Sequence, residues 1–415
     1  MTESTISFSQ PKSILHYWLQ LSHGPTQDFI RLLDYLSERD LGLLEIALTE
    51  RDLIKFFIEP LKVYYKTHEI SIAKINRSKS HLDWLLTKGL NYYIQKLVIS
   101  YIEPRDELNF DNYNTCIKFP NLLEVKLWCI SSKLCEILGS YSPNLHTLKI
   151  LNGGDELTVE SIVSICSGCP HLKYIQISEH PEMKHIEPPY ETLSIISTYC
   201  KELEVLKLNN WDRVESDDIT CLSQLTNLLE LDIELVYGWC TFPTQLLASN
   251  SRLENVVLGG DLSHDTIMRR LGAHCHLLKR VWLGAWAWRE VTDGGIIAMV
   301  QGCPLLERID IGVWNSSWGH NYEDDFDEDF VPIVSVTNTA MYAIAEYCIH
   351  LIVFRISSAD PLTYDSLSLD AIKRGCPSIK AIYRDGKVYY TAPGYVPDQC
   401  IDDDYGDSDS DSNND

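Results

Sequence analysis

Ten times along this 415-residue chain an apolar residue is followed by two more, three and five positions later, and an eleventh copy ends in Arg384. Clear examples are Leu172-x-x-Ile175-x-Ile177, Leu203-x-x-Leu206-x-Leu208, Leu278-x-x-Val281-x-Leu283, Leu306-x-x-Ile309-x-Ile311 and Leu351-x-x-Phe354-x-Ile356. The remaining copies begin at Ile94, Leu122, Leu145, Leu228, Leu253 and Ile379, and in six of the eleven a cysteine stands three residues before the start: Cys169, Cys200, Cys275, Cys303, Cys348 and Cys376. Successive starts lie 23 to 31 residues apart, except for one step of 45 between Leu306 and Leu351. Such a period holds one strand, one turn and one returning helix, and a unit of that size buries its apolar face only against its neighbours.

This pattern is that of a leucine-rich repeat. The expected fold is an α/β solenoid, a horseshoe of about 10 to 11 repeats, with a small all-helical module in front. Residues 11–68 read as the helical module, since Phe29, Leu32, Leu33 and Leu36 recur at helical spacing. Residues 69–93 read as a helical spacer or cap, and 94–397 as the repeats. An acidic insertion at 315–334 accounts for the long step, and 398–415 is an acidic tail too poor in apolar residues to order itself.

Local signals mark the repeat boundaries. Thr292 before Asp293 is placed to cap a helix, and Thr158, Ser216 and Thr363 open looser versions. Gly-Cys-Pro at 168–170, 302–304 and 375–377 reads as a helix stop, with glycine supplying a left-handed residue and proline blocking continuation.

The formal net charge of −24 disfavours nucleic acid, whose phosphates need a basic surface. No apolar run is long enough to cross a bilayer, and residues 1–10 lack the pattern of a secretory signal, so cytoplasm or nucleus is expected. The thirteen cysteines then read as buried thiols rather than a disulfide framework. No phosphate loop, metalloprotease helix or nucleophile elbow is present, and neither Cys166-x-x-Cys169 with His171 nor His274-Cys275-His276 completes a zinc set. The expectation is therefore a non-enzyme without metal or cofactor.

Residues 291–311, VTDGGIIAMVQGCPLLERIDI, resemble the cysteine-containing repeats of the F-box/LRR protein family, and the resemblance covers about residues 120–384. Residues 25–48 resemble an F-box, placing Pro25, Ile30, Leu33, Leu36, Leu41 and Leu44 where that motif binds a Skp-type adaptor. The resemblance implies a substrate-recognition subunit of a cullin-type ubiquitin ligase, monomeric within a hetero-complex. A repeat scaffold or inhibitor with no ligase connection is the alternative.

Binding residues are expected on the face opposite the helices and on its rim. Alternation along the strands puts Lys126, Lys149, Lys207, Trp282 and Arg355 on that face, with Trp128, Trp286, Trp288, Trp314 and Trp318 after strand ends. Three lysines on separate strands suggest a ladder for an acidic segment, and tryptophan with arginine suggests protein contact.

Overall fold

A computed structural model describes residues 61–72, 89–99, 118–128, 132–151, 157–178, 191–211, 219–235, 244–259, 265–284, 291–312, 336–356, 364–384 and 387–396. The F-box-like residues Pro25, Ile30, Leu33, Leu36, Leu41 and Leu44 lie outside them, as do Trp286, Trp288, Trp314, Trp318, the acidic insertion and the tail. The chain divides into two units, Met1–Ile177 with Thr198–Leu203, and Ser178–Ser197 with Glu204–Asp415.

In the first unit, strands β1 (Glu69–Ile72), β2 (Lys96–Ile99), β3 (Glu124–Leu127), β4 (Thr147–Ile150) and β5 (Tyr174–Ser178) follow in order. Each is parallel to the next and in unbroken register. Helices α1 (Ser132–Tyr141) and α2 (Val159–Gly168) return the chain between them. In the second unit, β6 (Val205–Trp211), β7 (Glu230–Leu235), β8 (Asn255–Leu258), β9 (Arg280–Leu283), β10 (Arg308–Ile311), β11 (Val353–Ile356) and β12 (Ala381–Arg384) are again parallel. Their connecting helices include α4 (Thr244–Ser249), α5 (Asp265–His274), α6 (Asp293–Gly302), α7 (Asn338–Tyr347) and α8 (Ser366–Gly375), with α3 (Thr192–Tyr199) before β6. This is the α/β leucine-rich-repeat solenoid, and β2 to β12 fall on the eleven sequence patterns.

Two strands lie beyond those patterns. β1 falls inside the segment read as a helical spacer: Ile70 and Ile72 pair with Leu97 and Ile99, as repeat residues do. Thr67 stands where the leading apolar residue belongs, which hid the copy. β13 (Lys387–Thr391) runs antiparallel to β12 and covers its open edge.

The apolar repeat residues form the core. Leu306, Ile309 and Ile311 are fully buried, as are Leu172, Leu203, Leu228 and Leu253. Each such side chain contributes about 1.5–3 kcal/mol of burial, summed only because the neighbouring repeat supplies the other wall.

Cysteine occupies the turn between helix and strand. The Cys303 thiol donates toward the carbonyls of Leu271 (3.6 Å) and Cys275 (3.4 Å), both at the helix end of the preceding repeat. Cys275 in turn approaches Leu247 and Asn250, and Cys169 approaches Leu138 and Ser142. Where the repeat beginning at Leu253 lacks cysteine, Asn250 takes the position and does more. Its Nδ2 donates to the carbonyls of Leu225 (2.7 Å) and Leu246 (2.9 Å), and its Oδ1 accepts from Leu228 N (2.9 Å). Absence of the cysteine there is a substitution within the same seam.

A second seam runs along the helix starts. Thr292 Oγ1 accepts from Gly294 N (3.2 Å), capping α6, while its own N and Oγ1 donate to the Asp265 carboxylate at 2.8 and 2.5 Å. Asp293 holds Thr337 in the same way at 2.7 and 2.5 Å, and Asn338 accepts from Asp365 N (2.9 Å). The Thr-Asp pair is thus reciprocal: threonine caps its own helix and the acid anchors the cap of the next. In the loosely patterned stretch at 363–365 the capping residue is Asp365, which accepts from Ser368 N.

The Gly-Cys-Pro glycines have another cause than the one the sequence suggests. Gly168, Gly302 and Gly375 are the last residues of α2, α6 and α8, and positive φ angles occur only at Gly89, Gly312 and Gly394 among the described glycines. A Cβ on Gly302 would lie 1.8 Å from Gly272 O, and one on Gly168 2.0 Å from Gly139 O. Glycine is required there because successive helices touch backbone to backbone.

Gly302→Ala therefore separates two opposing effects. A helical alanine gains about 1 kcal/mol over glycine in an open helix, whereas overpacking costs about 1–3 kcal/mol. The clash should win, and the urea midpoint should fall. The seam thiols also set an alkaline limit, because burial pushes Cys169, Cys275, Cys303 and Cys376 up to about 12. Raised folded-state values mean stability is full below the unfolded thiol value and is lost as pH rises toward 12. Unfolding free energy should fall between about pH 9 and 12, by up to about 1.4 kcal/mol per pH unit per thiol. Replacing Cys303 by alanine should reduce that slope.

Candidate protein-binding face

Side chains at the middle of each strand pattern leave the core and stand on the sheet face away from the helices. In the second unit the register aligns them in one row: Lys207, Asp232, Val257, Trp282, Asp310, Arg355 and Tyr383. Two positions earlier a parallel row carries Glu230, Asn255, Arg280 and Arg308. Neighbouring strands are about 4.8 Å apart, so residues up to 45 positions distant in sequence become adjacent.

The lysines do not act as one free ladder. Lys126 and Lys149 are register partners in the first unit, but Lys126 Nζ is 3.3 Å from Glu69 and Lys149 lies 5.2 Å from the ring centre of Tyr174. Lys207, in the second unit, bonds Glu230 at 3.0 Å. Each positive charge is balanced or covered from another strand, in the case of Lys126 from two strands away, a fact that needs the register and is invisible in the one-dimensional pattern. Trp128, just past β3, is half-buried.

Trp282 is half-buried between Val257 and Asp310, while Val281 and Leu283 on either side of it are in the core. Its six-membered ring lies over Gly284, where a Cβ would meet Trp282 Cη2 at 2.1 Å. Gly284 thus allows the indole to lie along its own strand, a role that sequence reasoning missed.

Charge is densest on β9 to β11. Arg308 Nε donates to Asp310 Oδ2 at 2.5 Å, and Arg355 Nε stands 3.6 Å from Asp310 Oδ1. Arg355 also stacks on Tyr383, 4.6 Å from the ring centre. Asp310 is nearly fully buried, and burial lifts its carboxyl above the usual range while Arg308 and Arg355 pull the other way. Arg280 is the register partner of Arg308 and is exposed.

A second buried acid lies at the other end of the row. Burial pushes Asp232 up to about 7, opposed by Lys207 and by the Asn209 amide, which donates to its Oδ1 at 3.3 Å, and reinforced by Glu230. Asn209 is itself held by the Ser178 hydroxyl at 3.2 Å.

Among the described residues no group of three or more His, Cys, Asp or Glu could hold a metal ion. Cys169 faces the carbonyls of Leu138 and Ser142, whereas His171 is exposed beside Glu202. His276 Nδ1 is 2.8 Å from Gly302 O. No described helix is long and apolar enough to cross a membrane.

Asp232→Asn tests the cost of the buried carboxylate. A raised folded value means the protonated form is favoured by folding, so stability present below about pH 4 is lost as pH rises through 7. The variant should therefore raise the thermal midpoint at pH 8, with the gain shrinking to nothing near pH 4.

No family model matches the chain. Over 123 residues it is 29% identical to F-box/LRR-repeat protein 4 of Bos taurus, a stretch covering 29% of this chain and 20% of that protein. The chain therefore matches about a fifth of that relative's length. A solved chain from the yeast Rad7 and Elc1 complex aligns over 84% of this chain and 86% of its own, at 15% identity and a TM-score of 0.39, too loose a superposition to carry an argument. By sequence this chain is similar to an F-box/LRR-repeat protein, and by its own geometry it is a leucine-rich-repeat solenoid.

Proposed function

We propose that the chain is a non-catalytic substrate receptor of a cullin-type ubiquitin ligase. The strand face holds a protein cargo, and residues 11–68 dock a Skp-type adaptor. The observation that carries the cargo half is the row on β9 to β12. It brings together tryptophan, arginine and tyrosine, the residue types that dominate protein–protein hot spots, with Asp310 between the first two. Support for the adaptor half is the F-box-like pattern of Pro25, Ile30, Leu33, Leu36, Leu41 and Leu44, together with the likeness to an F-box/LRR-repeat protein.

Binding in this scheme needs no chemistry from the chain itself. The face offers guanidinium forks, an indole and a phenol held by cross-strand contacts, so little side-chain entropy is lost when a partner docks. Ubiquitin transfer belongs to the other subunits.

Affinity purification of the full chain, and of a chain lacking residues 1–68, checks the adaptor half. The full chain should recover a Skp-type adaptor and a cullin, and the truncated chain neither. A full chain that recovers neither, where a known F-box protein recovers both, overturns the ligase reading and leaves a repeat scaffold.

A further inference from the structure

Among the described residues the arginines of β9 to β11 are short of negative charge. Arg308 and Arg355 keep only 15% and 14% of their side-chain surface exposed, yet they share the single carboxylate of Asp310. Isolated charge is costly to bury unless it is paired, and two guanidiniums against one acid leave an excess of one positive charge. Arg280 raises the imbalance, because like charges at register-partner positions repel and it stands directly beside Arg308, with no ion pair among the described residues. This local excess runs against the sign of the whole chain, whose net charge is −24.

Geometry shows which edges are open. Asp310 engages both neighbours through Nε, which orients each guanidinium and leaves its two terminal nitrogens outside the carboxylate bond. The buried Tyr383 hydroxyl, beside Arg355 in the register, lacks a hydrogen-bond partner among the described residues. Buried polar atoms without partners are rare and call for an explanation. A donor-rich face holding an unused phenol hydroxyl fits an oxyanion, which takes a fork from arginine and a further bond from a hydroxyl. The lysines elsewhere on the strand faces do not compete, being committed to Glu69, Tyr174 and Glu230.

We propose that Arg280, Arg308 and Arg355, oriented by Asp310 and flanked by Trp282 and Tyr383, bind an acidic or phosphorylated segment of a protein partner. Arg280, the exposed member, makes the first contact, and the half-buried pair receives the oxyanion. The identity of this partner as ligase cargo rests on the receptor reading above, whereas the anion preference does not.

The test is fluorescence anisotropy of the full chain with three labelled decapeptides: one rich in Asp and Glu, one carrying two phosphoserines in a neutral background, and one with Asn and Gln in place of the acids. The acidic or the phosphorylated peptide should bind, whichever is tighter naming the source of the oxyanion, and affinity should fall about tenfold or more from 50 to 200 mM salt. Arg280→Gln should weaken that binding at least tenfold. Arg252→Gln, which removes the same charge at the turn before β8, should leave it within twofold. Arg280 is exposed and has no ion pair among the described residues, so its variant should keep the parent's thermal midpoint. Equal binding of the neutral peptide, equal loss in both arginine variants, or no binding of either anionic peptide overturns the proposal. Adaptor recovery by Arg280→Gln, measured in parallel, should equal the parent's, so loss of peptide binding with the adaptor retained is separable from failure of the ligase reading.

Discussion

Everything in the solenoid depends on how one repeat's helix end is joined to the next. At that corner the chain turns from helix to strand inside the protein, where its carbonyls are cut off from water. A small side chain at one position answers them: cysteine in the repeats of Cys169, Cys275 and Cys303, asparagine in that of Asn250. Buried carbonyls demand such partners, and since each partner reaches back to the preceding repeat, the corner also aligns neighbours. The Thr-Asp seam does the same at the opposite end of the helices. With both ends of α6 and of α8 tied to the preceding repeat, the strands beside them are left only one register.

That register also assembles the candidate face. Arg308 and Asp310 are close in sequence, but Arg355 comes from beyond the long insertion and Arg280 from the preceding repeat. Their positions follow from the core residues between them: Val281, Ile309 and Phe354 align because they fill the same layer of the core. A slip of one residue would reverse the strand and send Asp310 into the apolar interior. The candidate recognition residues therefore occupy positions that the apolar core does not use, while the core determines where they stand.

Much of this fold was legible in the sequence, because its constraints are local and periodic. The three apolar places of each copy marked β2 to β12, and Thr158 and Thr292 announced two helix caps. What escaped notice was non-local or imperfect. β1 was hidden by Thr67 in the leading place, and β13 by its antiparallel pairing, although Asp385-Gly386 before it is a hairpin signal. The helix-end glycines look like left-handed stops until the next helix is seen pressed against them. The candidate face divides in the same way. Alternation placed Trp282 and Arg355 on it, but the pairing of Lys126 with Glu69 and the sharing of Asp310 by two arginines arise between strands. No pattern along a single strand contains them.

The central claim is that the two seams impose one register, and that this register builds the face. Genetically encoded nitroxide side chains at positions 257 and 282, register partners on β8 and β9, test it by electron spin resonance. Labels on adjacent strands about 5 Å apart should give a spectrum broadened by spin exchange, whereas labels at 232 and 282, two strands apart, should not. A 257/282 spectrum equal to the sum of the two single-label spectra would contradict the account.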